Sequence, residues 1–289
     1  MRIFNAKNFI GLILFMVFHA SEGMASYSIV PIVHSFKPSG REASTVFTVT
    51  SSTEKRKIPI QLYIVAREPN EKGEEVYKED PKVEELFQIY PSQLILGPKE
   101  SKSVKVTWIG QPKVKQELSF RLIVEEMPFD VDAPRETASK ATASVNFSTR
   151  YVGSLYVTPE NTESKFVVKA EPYGQGVEAS AVSQKSVISE KNRKVASQGK
   201  ADQILVKITN LGSVHHVFKD FTMELSGTSA DKNGSKNSKI ILNQDNFKQL
   251  VGQNILAGKA RNFLLPWPSE LPVGDVSGSM KPGDSADKR

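Results

Sequence analysis

The side chains that could do chemistry are few and widely spaced in this chain. His215 and His216 are adjacent, and Asp130 and Asp132 lie two residues apart. Neighbouring residues of a strand point to opposite faces, so the two histidines would not share one metal ion in an extended segment. The two aspartates lie in a stretch without periodicity, 129–140, which predicts a loop and not the shaped cleft that paired acids need. We therefore expect neither a metal site nor an acid–base pair.

The rest of the composition also argues against catalysis. The chain has no Gly-x-Ser-x-Gly, His-Glu-x-x-His or phosphate-loop motif, and it has no cysteine. The missing thiols exclude cysteine nucleophiles, thiolate metal ligands and redox chemistry. The formal net charge is +6, but the basic residues are scattered and alternate with acidic runs such as 68–75. We therefore predict a protein that is not an enzyme, has no cofactor and does not bind nucleic acid.

The N-terminus predicts export. Residues 1–7 carry two positive charges, residues 9–18 are almost wholly apolar, and Gly23 and Ala25 are small residues at the two positions that a signal peptidase reads. We interpret residues 1–25 as a signal peptide cleaved between Ala25 and Ser26, with an uncleaved anchor as the alternative. No other stretch approaches the ~18 apolar residues of a membrane-spanning helix, so we expect a chain that is not membrane-embedded.

The elements that position the remaining side chains are predicted to be strands. Short alternating runs separated by turn signals recur, and no long amphipathic pattern is present. In the first domain, 26–159, the predicted strands are 28–36, 44–50, 58–66, 86–90, 91–98, 103–108 and 118–124, with a hairpin or loop at 68–85. This number of strands is typical of an immunoglobulin-like sandwich.

The pattern restarts after Pro159 and predicts a second, smaller sandwich over residues 160–272. Its predicted strands are 166–170, 204–210, 217–225, 240–242 and 260–266. Residues 181–203 and 226–238 are polar and are interpreted as insertions whose role the sequence does not reveal. Residues 273–289 are rich in Gly, Pro and charged residues, which predicts a disordered tail. The fold class is thus all-β, with two immunoglobulin-like β-sandwich domains.

The longest alternating stretch is 143–157. Val145, Phe147, Thr149 and Tyr151 share one parity, which Leu155 and Val157 continue, whereas Arg150 and Ser154 have the other parity. At roughly 3.3 Å per residue, such a strand would run about 45–50 Å, well beyond the usual length. It could be half-buried in its own sandwich, or part of it could be available to another protein.

Several stretches together resemble one family. Residues 117–128, 90–105, 150–159, 208–215 and 255–266 are similar, in the same order, to motifs of the periplasmic chaperones of the chaperone–usher pilus pathway, and nearer to the non-classical, or archaic, branch. The resemblance implies two sandwiches in a boomerang arrangement, a periplasmic location, and partners that are pilin-like subunits and an outer-membrane usher.

The resemblance also implies a mechanism, donor-strand complementation, in which the last strand of the first domain fills the gap in an incomplete subunit. By position, the donated residues would be Val145, Phe147 and Thr149, with Tyr151 as a further candidate. The alternative is a divergent structural or adhesive sandwich protein of the envelope that keeps this strand for itself.

The chain departs from the family's pattern at the subunit carboxylate anchor. The positions that hold an Arg and a Lys in the family are aligned with Val33 and Ser154 here. Arg150 and His34 are possible replacements for this anchor. Lys105 and Glu117 match the positions of the family's interdomain contact, which the resemblance therefore predicts here.

Overall fold

The computed structural model describes residues 25–75, 77, 80–129, 131, 148–173, 202–231, 234–272 and 276–283. Apart from Ala25, the predicted signal peptide lies outside the described residues. The described chain is nearly all β-structure and forms two units, each with its own hydrophobic core. The predicted fold class, all-β with two β-sandwich domains, is confirmed. No helix within the described ranges is long and apolar enough to cross a membrane.

The first domain packs a four-stranded sheet against a five-stranded sheet. The four-stranded sheet has the order β1-β3-β7-β5, and the five-stranded sheet has the order β2-β9-β8-β4-β6. The strands are β1 (Tyr27–Val30), β2 (Val33–Phe36), β3 (Ser44–Ser51), β4 (Ile58–Ala66), β5 (Phe87–Tyr90), β6 (Gln93–Leu96), β7 (Ser101–Trp108), β8 (Leu118–Glu126) and β9 (Arg150–Val157). A 3₁₀ turn (Arg41–Ala43) precedes β3, and a single helical turn, α1 (Pro81–Glu84), precedes β5.

The strand predicted over residues 28–36 is divided at Pro31. β1 pairs antiparallel with β3 in one sheet, whereas β2 pairs parallel with β9 in the other. A proline has no N–H to donate to a ladder, so a change of sheet at this position costs little. One short segment therefore supplies an edge strand to each of the two sheets.

The core of the first domain is built from the inward parity of its strands. Phe87 makes edge-to-face contacts with Trp108 and Phe120, at centroid distances of 5.2 and 5.0 Å. On β9 the inward residues are Leu155 and Val157, both fully buried. Leu155 and Val157, which were predicted to lie on the apolar face of the long stretch, therefore point into the core of the sandwich.

The second domain has a six-stranded antiparallel sheet of the order β14-β13-β17-β10-β11-β16 and a two-stranded ribbon, β12-β15. The strands are β10 (Phe166–Tyr173), β11 (Gln203–Asn210), β12 (His216–Val217), β13 (Phe221–Asp231), β14 (Gly234–Asn243), β15 (Asn254–Ile255), β16 (Ala260–Pro266) and β17 (Val276–Pro282). The predicted strand 217–225 is divided, because its two halves belong to different sheets.

Two predictions for this domain are wrong. Residues 226–231 and 234–238 of the supposed insertion belong to the paired strands β13 and β14, and the supposedly disordered tail contains β17, which lies between β10 and β13. The small residues of β17 suggested disorder, but they are needed because neighbouring strands pack closely against them. A Cβ at Gly278 would lie 2.5 Å from a methyl group of Val168. Most of the other predicted insertion, 181–203, lies outside the described residues.

Candidate partner-binding edge and domain junction

One edge of β9 is only partly covered. Along its whole length β9 pairs antiparallel with β8, from Glu125 opposite Arg150 to Leu118 opposite Val157. On its other side β2 pairs only with the part that begins at Ser154, whose N–H donates to the carbonyl of Ile32 at 2.8 Å. Within the described part of the chain, no strand covers residues 150–153 on that side. Uncovered N–H and C=O groups of this kind are a template for a further strand.

Two tyrosines hold the start of β9. The hydroxyl of Tyr27 donates to the carbonyls of Val124 and Thr149, at 2.8 and 2.7 Å. The hydroxyl of Tyr151 donates to the carbonyl of Tyr27 at 2.7 Å, and the two rings meet edge to face at 5.2 Å. Burial raises the pKa of Tyr27, so the phenol stays protonated and keeps its role as a donor. The backbone at the entrance to β9 is therefore fixed to β1 and β8.

The structure describes two of the four residues that were predicted to be donated. Val145 and Phe147 lie outside the described residues. Thr149 is partly buried, and Tyr151 packs against the core of its own domain. Tyr151 thus belongs to the core of its own domain. Of the four residues, only Thr149 and Tyr151 lie in the described part of the chain.

The two proposed replacements for the carboxylate anchor are not brought together. Arg150 is on the outer face of the sheet, where it forms an ion pair with Glu125 at 2.5 Å. His34 lies opposite the buried Leu155 and points towards the core, with its ring 4.6 Å from that of Phe36. Burial also lowers the pKa of His34, which favours its neutral form. The two side chains therefore lie on opposite faces of the five-stranded sheet.

A different arginine, Arg121, contacts one of the aligned anchor positions, Ser154. Val33 and Arg121 lie opposite Ser154 on its two neighbouring strands, β2 and β8. The guanidinium of Arg121 donates to the hydroxyl of Ser154 and forms two further hydrogen bonds, of 2.8 and 2.9 Å, with the carboxylate of Glu75. Arg67 donates to the same carboxylate at 2.8 Å. The carboxylate of Glu75 thus binds both Arg67 and Arg121, beside the point where β2 begins to pair with β9.

The carboxylate of Glu75 is held in its charged form. Its side chain is only 11% exposed, and those of Arg67 and Arg121 are 9% and 15% exposed. Burial alone would raise the pKa of Glu75, but the hydrogen bonds and charges of the two arginines outweigh it and lower that pKa. A buried carboxylate with two guanidinium partners is a strong and geometrically specific arrangement.

The loop that carries Glu75 also reaches the second domain. The carbonyl of Glu71 accepts the N–H of Asn262 at 2.9 Å, and its carboxylate accepts the amide of Asn262 at 2.8 Å. Lys207 forms an ion pair with the same carboxylate. Gly73 has a φ of +85°, and a side chain there would overlap the guanidinium of Arg261. Residues 67–75 therefore lie against both domains.

Glu117 is at the centre of the domain junction. Its carboxylate accepts the backbone N–H of His215 at 3.0 Å, lies 2.7 Å from Nδ1 of the same residue and accepts the hydroxyl of Thr158 at 3.2 Å. Lys105 is elsewhere, exposed on the outer face of the four-stranded sheet between Val46 and Tyr90. The structure thus brings Glu117, but not Lys105, to the contact between the domains.

Tyr156 joins this junction to the arginines. It points outwards from β9 yet is 2% exposed, because the ring of His215 stacks on it. Its hydroxyl accepts hydrogen bonds from Arg67 at 2.7 Å and from Asn254 at 2.9 Å. One residue of β9 therefore contacts both the loop and the second domain.

Sequence reasoning missed Arg67, Glu75 and Arg121 as functional candidates. A signal was present for Arg121, which stands in the middle of the apolar strand 118–124 and needs a partner when that strand is central. The partner could not be identified, since Glu75 belongs to a run of acidic residues without periodicity.

The two adjacent histidines have different surroundings. His215 turns towards Glu117, whereas the ring of His216 packs between Phe166 and Phe218, at 5.5 and 4.6 Å. In the parts of the chain described here, no group of three or more potential ligands could hold a metal ion. Asp130 and Asp132 lie outside those parts.

Comparison with known proteins gives structural similarity only. No family model matches the chain, and no curated protein sequence matches it significantly. A structure described as a chaperone–tip adhesin complex of CFA/I fimbriae is similar, with 17% identity, 91% of this chain and 100% of that chain covered, and a TM-score of 0.49. The class 5 fimbriae chaperone CfaA has 17% identity, coverages of 89% and 98%, and a TM-score of 0.48.

The third similar structure is the CsuC–CsuE chaperone–tip subunit pre-assembly complex from the archaic Csu pili of Acinetobacter baumannii. It has 16% identity, coverages of 83% and 90%, and a TM-score of 0.42.

Proposed function

We propose that this chain is a periplasmic chaperone that caps pilin-like subunits by donor-strand complementation and delivers them to an outer-membrane usher. The observation that carries the proposal is the half-covered edge of β9. Within the residues that the structure describes, no strand covers this edge over residues 150–153, and the alternating sequence 143–149 directly precedes it. The unpaired N–H and C=O groups of this edge are available to a further strand.

The proposed contact is the addition of a strand from the subunit to this edge. Backbone hydrogen bonds supply affinity without reading the subunit's sequence, and Val145, Phe147 and Thr149 fill its open groove. Each large apolar side chain that becomes buried contributes roughly 1.5–3 kcal/mol. Tyr151 is left out of the donated set, since it is committed to the core beside Tyr27.

Capping in this way is folding assistance. A subunit sandwich that lacks a strand presents an unpaired edge and a hydrophobic groove, which promote aggregation. Release needs no nucleotide, since the subunit can exchange the chaperone's strand for a better-fitting one in the fibre. The predicted signal peptide, 1–25, would bring the chain to the compartment where such subunits fold.

The test is co-expression in the periplasm with a pilin-like subunit encoded beside this chain. We expect a 1:1 complex with the natural sequence and its loss in the double variant Val145→Ser, Phe147→Ser. The matched control is Asn146→Ala, Ser148→Ala, which changes the opposite parity and keeps the complex. An undiminished complex with the first variant would disprove strand donation. Failure of the natural sequence to form a complex would favour the alternative, a structural or adhesive sandwich protein.

A further inference from the structure

The first strand begins beside a buried carboxylate. The hydroxyl of Ser26 donates to Oε2 of Glu126 at 3.3 Å, and the carbonyl of Ser26 accepts the N–H of Ser52 at 2.9 Å. The next residue, Tyr27, is fully buried, whereas Ala25 is exposed. Ser26 is therefore the residue at which the described chain enters the fold, and it does so in contact with Glu126.

The surroundings of Glu126 favour an additional positive charge. Arg56 donates to both oxygens of this carboxylate, but the side chain of Arg56 is 46% exposed and that of Glu126 only 9%. A carboxylate offers several acceptor positions, and an ion pair with an exposed partner is weak. The nearby phenol of Tyr27 responds to the same negative charge, since its pKa is raised first by burial and then by Glu126.

The predicted cleavage between Ala25 and Ser26 supplies such a charge. It converts the amide nitrogen of Ser26 into an α-ammonium group, which stays charged below a pH of about 7.7–8.0. This nitrogen is separated by three bonds from the hydroxyl oxygen that already contacts Glu126, and it can turn freely once Ala25 has been removed. In the uncut chain the same nitrogen is a neutral amide that carries the preceding segment.

We propose that signal-peptide cleavage completes the fold by creating an ion pair between the new α-ammonium group of Ser26 and the carboxylate of Glu126. The pair joins the start of β1 to the end of β8. It rests on the predicted cleavage position and not on strand donation. It also bears on the proposed donor strand, because the hydroxyl of the next residue, Tyr27, holds the carbonyl of Thr149 at the entrance to β9. The processed chain therefore has the firmer entrance to this strand.

The test compares two starts of the chain. One protein begins at Ser26, and the other keeps residues 23–25, which move the ammonium group away from Glu126. We expect the equilibrium constant for unfolding, measured in urea at mildly acidic pH, to be about tenfold smaller for the chain that begins at Ser26, because charge-assisted hydrogen bonds are the stronger kind. Glu126→Gln should remove this difference. Glu125→Gln is the matched control and should keep it, since Glu125 faces outwards and pairs with Arg150.

The titration of the amine gives a second measurement. Pairing with Glu126 raises the pKa of the α-ammonium group above its ordinary value of about 7.7–8.0. The stability that the pair contributes is complete below that range and is lost as the pH rises through the folded pKa. The other charged groups near this end of β1 are Arg56, Glu125 and Arg150. We expect half-maximal labelling by an amine-reactive reagent about one pH unit higher than in Glu126→Gln.

Equal stability of the two chain starts would overturn the ion pair, and so would a difference that persists in Glu126→Gln. Mass spectrometry of the exported protein would also overturn it by showing a first residue other than Ser26. If Glu126→Gln does not fold, the labelling profile of the natural sequence is compared with that of the same chain unfolded in urea, and equal profiles reject the proposal. None of these measurements involves a subunit, so their outcome is separate from that of the co-expression test.

Discussion

Tyr156 and His215 stack face to face across the domain junction, with ring centroids 3.9 Å apart and an interplanar angle of 11°. Tyr156 belongs to β9, the strand with the uncovered edge, and His215 precedes the first strand of the β12–β15 ribbon. The strand proposed to receive a partner is therefore also the strand that holds the second domain.

Glu117, at the domain junction, should contribute to the stability of the protein. Lys105, the other residue of the predicted interdomain contact, should not. Glu117→Gln removes the charge of a buried carboxylate that accepts hydrogen bonds from His215 and Thr158. We expect the free energy of unfolding to fall by about 2–3 kcal/mol, as measured by urea denaturation. Lys105→Gln, on an exposed face, should change it by less than about 0.5 kcal/mol. Equal effects of the two substitutions would show that the junction does not depend on Glu117.

The tyrosine pair should control the entrance to β9. Tyr27→Phe keeps the ring in the core but removes the hydroxyl that bonds the carbonyls of Val124 and Thr149. We expect a loss of about 1–2 kcal/mol and faster hydrogen exchange at residues 149–151. Tyr90→Phe, on an exposed ring, is the control. If Tyr27→Phe left exchange unchanged, the start of β9 would have to be held by something other than this hydroxyl.

Acid should loosen the loop through Glu75. Its pKa is lower in the folded chain than the ordinary value of 4.5, because Arg121 and Arg67 outweigh burial. The unfolded chain therefore takes up the proton first as the pH falls below about 4.5. The stability that this group contributes is complete above that pH and is lost as the pH falls through the folded pKa. We expect Glu75→Gln to flatten the fall of the free energy of unfolding in this range, as measured by urea denaturation at a series of pH values.

Truncation distinguishes a disordered tail from a structural strand. Deletion of residues 273–289 removes β17 and exposes the facing edges of β10 and β13. We expect a clear fall in the melting temperature and a tendency to aggregate, because exposed edges pair between molecules. Deletion of residues 284–289 spares the strand and should change neither property. A full-length melting temperature after the longer deletion would contradict the central position of β17.

Strands in which apolar and polar residues alternate clearly were predictable from the sequence. The predicted strands 58–66 and 260–266 have the same ends as β4 and β16. The inward parity of Leu155 and Val157 was also predicted, because a strand with one apolar face can be buried in only one way.

Tertiary structure alone decided the rest, because period and composition describe one segment at a time. The division of the first strand at Pro31 depends on which sheet each half meets. The strand β17 exists because β10 and β13 supply partners on both sides of a glycine and serine segment. The site at Ser154 likewise combines Arg121 from a central strand with Glu75 from a loop. A sequence pattern marks a buried charge as in need of a partner, but only the folded chain selects the partner, since that choice is one of distance in space.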